Sequence, residues 1–421
     1  MTSIRVLLSH AAREGWHIHQ ADVDRAYLHG VLEEDVYLRV PKGVDDPSLE
    51  GKCLKLKRTL YGLKQAGAVW NETVHAEFIK LGYTRAQEDA CIYIRQGGDA
   101  PAYLALYVDD ILLTSSSLLE IDRVKSALAS RFGIKDIGPA NFILGIQLRR
   151  QPGGSILLSQ EAYTRRIIST YGFDSVRPVN TPMKQGLQLP VVATTATPDR
   201  AAITRYRQVI GALLYLANGT RPDIAYAVGH LARFPARHGS AHWDALERVF
   251  AYLKGTAGRG LALGTSRAPL HGLYAYSDSD WNGDAAVFYA GGLIFWRSKL
   301  HGIPAGSTCA AEYMSMYFTG QELEWIRELL GSLGLQPQGA TRLLGDNKGA
   351  VFMANNEAAT SRARYIRTRF HSLRESVHDG ELDVAFIPTD AMVADVLTKA
   401  HGGPEHARMT RSLGVQLHRG T

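Results

Sequence analysis

Cysteine is nearly absent. Three residues in 421, Cys53, Cys91 and Cys309, lie far apart and show no metal-ligand spacing. That scarcity excludes a disulfide scaffold and any zinc knuckle, and it implies reduced thiols in an intracellular protein. No apolar run approaches the ~18 residues of a membrane span, so no membrane partner is expected. The opening Met1-Thr-Ser-Ile-Arg-Val-Leu-Leu-Ser-His10 lacks the apolar core and cleavage site of a signal peptide. It reads as a helix with Ile4, Leu7, Leu8 and Ala11 on one face. Internal repeats and low-complexity tracts are missing too. Charge of one sign is scarce: 47 basic against 41 acidic residues leaves +6, which permits a nucleic-acid partner without demanding one. What is present is a 45% hydrophobic composition, enough to bury a sizeable core. The length exceeds one ordinary domain, so two or three are expected.

The most informative stretch is Tyr107-Val-Asp-Asp110, two adjacent carboxylates inside an apolar run bounded by Gly97-Gly-Asp99 and Ser115-Ser-Ser117. The run suggests a buried strand. Two charges within it are costly unless neutralised, and a hard divalent cation is the natural partner for carboxylate oxygens. A hairpin with its acids at the bend would present them; a plain surface turn carrying Asp-Asp is the alternative. A second acidic segment, Gln20-Ala-Asp-Val-Asp-Arg-Ala-Tyr-Leu28, again sets carboxylates among apolar residues. Helical spacing is expected over Trp70–Leu81, Leu118–Phe132, Ser159–Gly172, Tyr206–Asn218 and His242–Lys254, with a linker at Leu189–Pro198.

These words, in order along the chain, resemble the copia-type retrotransposon polymerase. They are Asp22-Val-Asp-Arg-Ala-Tyr-Leu-His-Gly30, Val36-Tyr-Leu-Arg-Val-Pro-Lys-Gly43, Leu60-Tyr-Gly-Leu-Lys-Gln-Ala66 with Trp70, and the Tyr-Val-Asp-Asp hairpin. Leu144-Gly-Ile146, Leu158-Ser-Gln160 with Tyr163, and Thr181-Pro-Met183 continue the match. The resemblance implies a reverse-transcriptase palm in which Asp22, Asp109 and Asp110 are catalytic. Asp22 and Asp109 would be the principal Mg²⁺ ligands, with Mn²⁺ as the alternative cation. It implies further that Tyr27 floors the sugar pocket and that Gln65 supports the incoming deoxynucleoside triphosphate. Lys64, with Lys52, Lys55, Lys57 and Arg58, forms a basic stretch suited to phosphate contact.

A second carboxylate set follows. Asp278 ends the strand-like Gly272–Tyr276, and Glu312 opens a long helical pattern that Ser307 or Thr308 can cap. Asp346 follows Thr341–Leu344, and Asp395 sits in a helical pattern over Met392–Lys399. Strand, helix, strand, helix, each with its acid, resembles a ribonuclease H. The local words Tyr276-Ser-Asp-Ser-Asp-Trp281, Ala311-Glu-Tyr313, Gly345-Asp-Asn347 and Ala394-Asp-Val-Leu-Thr-Lys399 are similar to the copia-type version. All four acids would then be catalytic cation ligands. Arg362, Arg364, Arg367, Arg369 and Arg374 would hold hybrid phosphates, with His371 among them.

The expected fold is α+β: a palm with partial fingers, a helical thumb and connection, then an α/β ribonuclease H-like domain. The expected boundaries are 1–182, 183–268 and 269–405, with a tail at 406–421. The resemblance implies an RNA-directed DNA polymerase with ribonuclease H activity, acting on RNA template, DNA primer and RNA–DNA hybrid in the cytoplasm or nucleus. The alternatives are an impaired remnant that binds hybrids, or a ribonuclease H whose polymerase part is scaffold. They arise from departures. The sequence starts where the family's polymerase is half complete, which implies truncation at the N-terminus. Ala66-Gly-Ala-Val-Trp70 lacks the family's proline and arginine. Trp281-Asn-Gly-Asp284 runs directly into Ala285, shortening a hairpin. Tyr365-Ile-Arg367 replaces His-Ile-Asp.

Overall fold

The computed structural model describes residues 1–97, 100–191, 199–265, 272–279, 283–299, 307–356 and 372–417. Within them the chain forms two compact units. One is Trp16–Ala140 with Ser332–Gly334; the other is Met1–Gly15, Asn141–Gly331 and Leu335–Thr421. Helix α1 (Thr2–Arg13) opens the larger unit. It is buried on nearly every side rather than along the single face its spacing suggested. The reason is Arg5, whose guanidinium donates to the Gly219 carbonyl at 2.8 Å and stacks 4.0 Å over Trp296.

The smaller unit is a six-stranded sheet in the order β4-β5-β6-β7-β1-β8. Its strands are β1 (His17–Val23), β4 (Thr84–Arg85), β5 (Ile92–Arg95), β6 (Ala102–Tyr107), β7 (Asp110–Ser115) and β8 (Ile134–Pro139). A separate two-stranded ribbon, β2 (Tyr37–Arg39) with β3 (Cys53–Lys55), carries part of the basic stretch. Helices α2 (Ala66–Lys80) and α3 (Leu118–Arg131) cover one face of the sheet. Trp70, Val74 and Phe78 of α2 and Ile121, Val124 and Leu128 of α3 pack against Leu104, Leu106, Ile111 and Leu113. The alternation of those sheet residues is the two-residue period of a strand burying one face. Helix α3 begins where expected, with the Ser117 hydroxyl accepting from the Glu120 amide. Helix α2 starts four residues before Trp70, because Ala66-Gly67-Ala68 gives no periodicity to read although Ala66 is buried.

In the larger unit, β9 (Phe142–Ile143), β10 (Ile146–Arg150), β11 (Ile156–Ser159), β12 (Arg259–Leu263) and β18 (Val415–Leu417) form one antiparallel sheet. Helices α4 (Glu161–Thr170), α5 (Arg200–Gly219), α6 (Ala225–Leu231) and α7 (Ser240–Gly255) gather around Leu213, Leu216, Val228, Leu246, Val249, Phe250 and Leu253. Helix α5 starts six residues before Tyr206 because the Asp199 carboxylate caps the Ala201 and Ala202 amides. A third sheet, ordered β15-β14-β13-β16-β17, is built of β13 (Leu273–Asp278), β14 (Asp284–Tyr289), β15 (Gly292–Arg297), β16 (Thr341–Gly345) and β17 (Leu382–Phe386). Its β13–β16 and β16–β17 pairs are parallel, the others antiparallel. Helices α8 (Thr308–Ser332) and α9 (Lys348–Asn355) complete this region, α8 capped by Ser307 and α9 by Asn347. The expected helix over Met392–Lys399 shrinks to Asp395–Thr398, since Met392 is extended and interrupts it.

One histidine in the helical layer makes this unit sensitive to acid. Both ring nitrogens of His230 are buried without a partner. Burial first, then Arg233 and His242, pushes its pKa down to about 4. The unfolded chain therefore takes up the proton before the folded one, and stability falls as pH drops from about 6.5 towards 4. Thermal melts are expected to lose stability over that window more steeply in the wild type than in His230→Gln. Parallel curves would contradict the assignment.

Candidate functional site

In the smaller unit, β1 runs antiparallel to β7, and the register sets Asp22 directly opposite Asp110. Directly opposed residues share a face of the sheet, so the two carboxylates point the same way. Asp109 lies in the two-residue turn between β6 and β7, and its carbonyl accepts from the Val23 amide at 2.9 Å. The preceding Val108 has φ 58, a left-handed conformation that is strained for a β-branched residue. The acids thus stand at the bend of a hairpin, and the three expected together are on adjoining strands. Burial, then Asp109, Asp110 and Asp24, raise the Asp22 pKa, the response of a carboxylate crowded by like charges. The trio is nonetheless loose: it is not among the groups whose ligand atoms gather within 4.8 Å of one another.

Several supports were not visible from motif reading. The Gln20 amide donates to Asp110 Oδ1 at 2.9 Å, fixing the second acid of the hairpin. The Trp70 indole donates to the Val108 carbonyl at 2.6 Å, tying α2 to the turn. Tyr27 sits in a 3₁₀ turn, Ala26–His29, rather than on a strand. Its carbonyl accepts from the Thr59 hydroxyl, and its ring meets Tyr61 edge-on at 4.8 Å. Tyr61 is raised by burial, then Asp109, Tyr27 and Asp22, so it stands in the acids' field. Lys64 is exposed and Gln65 half-buried at the entrance to α2. Trp70→Phe should weaken folding by about 1 kcal/mol, the worth of one hydrogen bond, and urea unfolding checks it.

The larger unit holds a tighter cluster. Asp278 closes β13, Glu312 lies in α8, and Asp346 follows β16; their oxygens all approach within 4.8 Å of one another. The Ser315 hydroxyl donates to the Asp278 carbonyl at 2.9 Å, pinning the end of β13 to α8. Asp395 completes the four, with the Thr398 hydroxyl 2.9 Å from Asp278 Oδ2 and 3.2 Å from Asp395 Oδ1. Thr389 holds Asp346 at 2.8 Å. Burial, then Asp395 and Asp346, pushes Asp278 up to about 7; burial, then Asp278 and Asp346, pushes Glu312 up to about 9. Glu312 Oε2 is buried without a partner. Crowded, desolvated carboxylates with an unused oxygen are the donor set a hard divalent cation requires, so the residues fit one. The Lys399 ammonium, 2.6 Å from Asp395 Oδ1, is the one lysine paired with these four acids among the described residues. His401 is also drawn in, its Nδ1 3.1 Å from Glu405 and its Nε2 3.6 Å from Asp395.

Sequence reading missed Lys399 and His401 as neighbours of Asp395, though Lys399 closes the motif word around it. Arg374, expected to meet phosphate, donates to the Met353 carbonyl at 2.8 Å and lies over Tyr313. Arg362, Arg364, Arg367, Arg369 and His371 lie outside the described residues.

Residues 1–185 match the family described as reverse transcriptase (RNA-dependent DNA polymerase). The putative transposon Ty5-1 protein of Saccharomyces cerevisiae is 31% identical over 312 residues, covering 72% of this chain and all of that protein. The retrovirus-related Pol polyprotein from transposon RE2 of Arabidopsis thaliana is 34% identical over 423 residues, 98% of this chain. The chain belongs to the copia-type retrotransposon Pol family. The α+β, reverse-transcriptase-like fold expected of a copia-type Pol chain is the one observed. The chain spans 29% of the length of the RE2 polyprotein. A solved foamy viral protease–reverse transcriptase in complex with dsDNA matches at TM-score 0.19 and 12% identity, covering 88% of this chain and 68% of that one.

Proposed function

We propose that the chain is an RNA-directed DNA polymerase with ribonuclease H activity. Residues 1–182 would be its polymerase part, 183–268 the linker and helical connection, 269–405 a ribonuclease H-like domain and 406–421 a tail. The observation that carries the polymerase reading is the β1–β7 register, which sets Asp22 opposite the Asp109–Asp110 hairpin inside a region matching the reverse transcriptase family. The substrates are an RNA template, a DNA primer, an RNA–DNA hybrid and deoxynucleoside triphosphates. The site of action is intracellular, cytoplasmic or nuclear.

The primer 3′-hydroxyl attacks the α-phosphorus of the incoming nucleotide and pyrophosphate leaves in line. Asp22 and Asp109 would hold Mg²⁺, with Mn²⁺ as the alternative, which would supply positive charge to the reacting oxygens. Asp110, fixed by Gln20, supports them in the same field. Tyr27, braced by Tyr61, floors the sugar pocket against a ribose 2′-hydroxyl. Gln65 supports the incoming nucleotide and Lys64 its phosphates. In the second site Asp278, Glu312, Asp346 and Asp395 would hold the divalent cations, which would supply the charge for hydrolysis of the RNA strand.

Primer extension on an RNA template in Mg²⁺ tests the first activity. Incorporation that survives Asp109→Asn with Asp110→Asn rules out the proposed site. A second reading, ribonuclease H alone on a polymerase scaffold, is favoured by one contrast: the second cluster gathers within 4.8 Å and the first does not. Hybrid cleavage abolished by Asp346→Asn, without any extension, would select it. A protein that shifts labelled hybrid but neither extends nor cuts it would be a binding remnant.

A further inference from the structure

We propose that Asp284 is a fifth cation-ligating carboxylate of the Asp278–Glu312–Asp346–Asp395 site. The proposal rests on reading that site as a cation centre and adds a residue that motif matching leaves out. Strand β14 runs antiparallel to β13, and the register pairs Asp284 across the sheet with Asp278. Opposed residues of an antiparallel pair project from the same face, which aims both carboxylates into one space. The Ser315 hydroxyl ties the two together from behind, 2.9 Å from the Asp278 carbonyl and 3.3 Å from that of Asp284.

Asp284 is 0% exposed. Its Oδ1 accepts from the Lys299 amide at 3.1 Å, but its Oδ2 is buried with no hydrogen-bond partner. Arg297 and Arg233 lie in its electrostatic field. Arg297 gives its Nε to the Gly283 carbonyl at 3.0 Å and lies over Phe318. A carboxylate buried this deeply with one oxygen unpartnered is costly unless a partner is supplied. The structural alternative, a carboxyl held permanently neutral, would want a hydrogen-bond acceptor for its proton, and Oδ2 has none. The register sets Asp284 beside the cluster, whose Glu312 Oε2 is likewise buried without a partner. A divalent cation satisfies both oxygens at once.

The test is Mn²⁺ binding followed by electron paramagnetic resonance on the full chain. A background of Asp109→Asn with Asp110→Asn leaves the second site as the one read. Against that background Asp284→Asn is expected to weaken Mn²⁺ at least about tenfold and to shrink the rise in melting temperature that Mn²⁺ gives over EDTA. In EDTA it should melt no lower than its parent, because it removes a buried charge. Asp284→Ser, which keeps an acceptor for the Lys299 amide, gives the same comparison if the amide does not fit. Unchanged Mn²⁺ affinity in a folded Asp284 variant overturns the proposal when Asp278→Asn abolishes binding. If Asp278→Asn also binds Mn²⁺ as its parent does, the cation centre itself is refuted, and Asp284 with it.

Discussion

Asp109→Asn is expected to lower Mg²⁺-dependent primer extension on an RNA template by about a thousandfold, with no loss of folding stability. The effect is large because Asp109 sits at the bend of the β6–β7 hairpin, where its carbonyl is already used by the Val23 amide and its side chain is free for a ligand. Asparagine keeps the size and removes one oxygen's negative charge, so the turn survives and the ligand does not. Stability moves the other way. Burial and the charges of Asp109 and Asp110 raise the Asp22 pKa, so deprotonating Asp22 opposes folding above its usual range. A carboxylate whose folded pKa is raised contributes stability at low pH and loses it as pH rises through the folded value. Removing the Asp109 charge relaxes that loss, and the variant should unfold at equal or higher urea at pH 8 in EDTA. A variant that unfolds earlier in urea would mean that Asp109 is structural, and the fall in extension would then have a different cause.

The second large effect is on stability. Asp223→Ala should destabilise the larger unit by about 3–5 kcal/mol, a large part of the ~5–15 kcal/mol that holds a typical domain folded. Arg221 and Asp223 are both essentially without solvent contact, 1% and 0% exposed. The guanidinium grips both carboxylate oxygens at 2.8 Å, Nε to Oδ1 and Nη2 to Oδ2. Tyr252 donates its hydroxyl to Oδ2 at 2.6 Å, and Thr256 receives the rest of the guanidinium through its carbonyl and hydroxyl. Burial alone would raise the Asp223 carboxyl, but Arg221 and Tyr252 hold it below the usual carboxylate range. Its contribution is therefore present at neutral pH and lost on acidification through that low value. Alanine leaves a buried guanidinium unpaired, which is the costly case. Replacing both partners, as in Arg221→Met with Asp223→Leu, should be much milder. Urea unfolding at pH 7 separates the two; a loss under about 1 kcal/mol for Asp223→Ala would contradict the network's role.

Much of this was legible before the fold was seen, and the reason differs from element to element. The hairpin at Asp109–Asp110 announced itself because charges inside an apolar run have few stable explanations. Helix α3 was legible from Ser117 and the spacing of Ile121, Val124 and Leu128. The body of helix α5 was legible from Tyr206 onward, but its first turn was not, because that turn is largely solvent-exposed and only the Asp199 cap marks it. The partners of the acids were the least visible. Gln20 reaches Asp110 across a sheet, and Asp284 reaches the second site only through strand register, so no local spacing encodes either. Lys399 and His401 follow Asp395 closely in sequence, yet the interrupted helix, not a helical period, decides where they point.

Iron-mediated affinity cleavage puts the most direct question to the polymerase site. Full-length protein loaded with Fe²⁺ in place of Mg²⁺, with primer–template and nucleotide bound, is treated with ascorbate and peroxide, and the cut positions are mapped. One bound ion shared by β1 and the hairpin predicts paired cuts near Asp22 and near Asp109–Asp110, competed away by Mg²⁺ and lost together in Asp22→Asn. Cuts at one of these segments without the other would show that the strands do not share an ion.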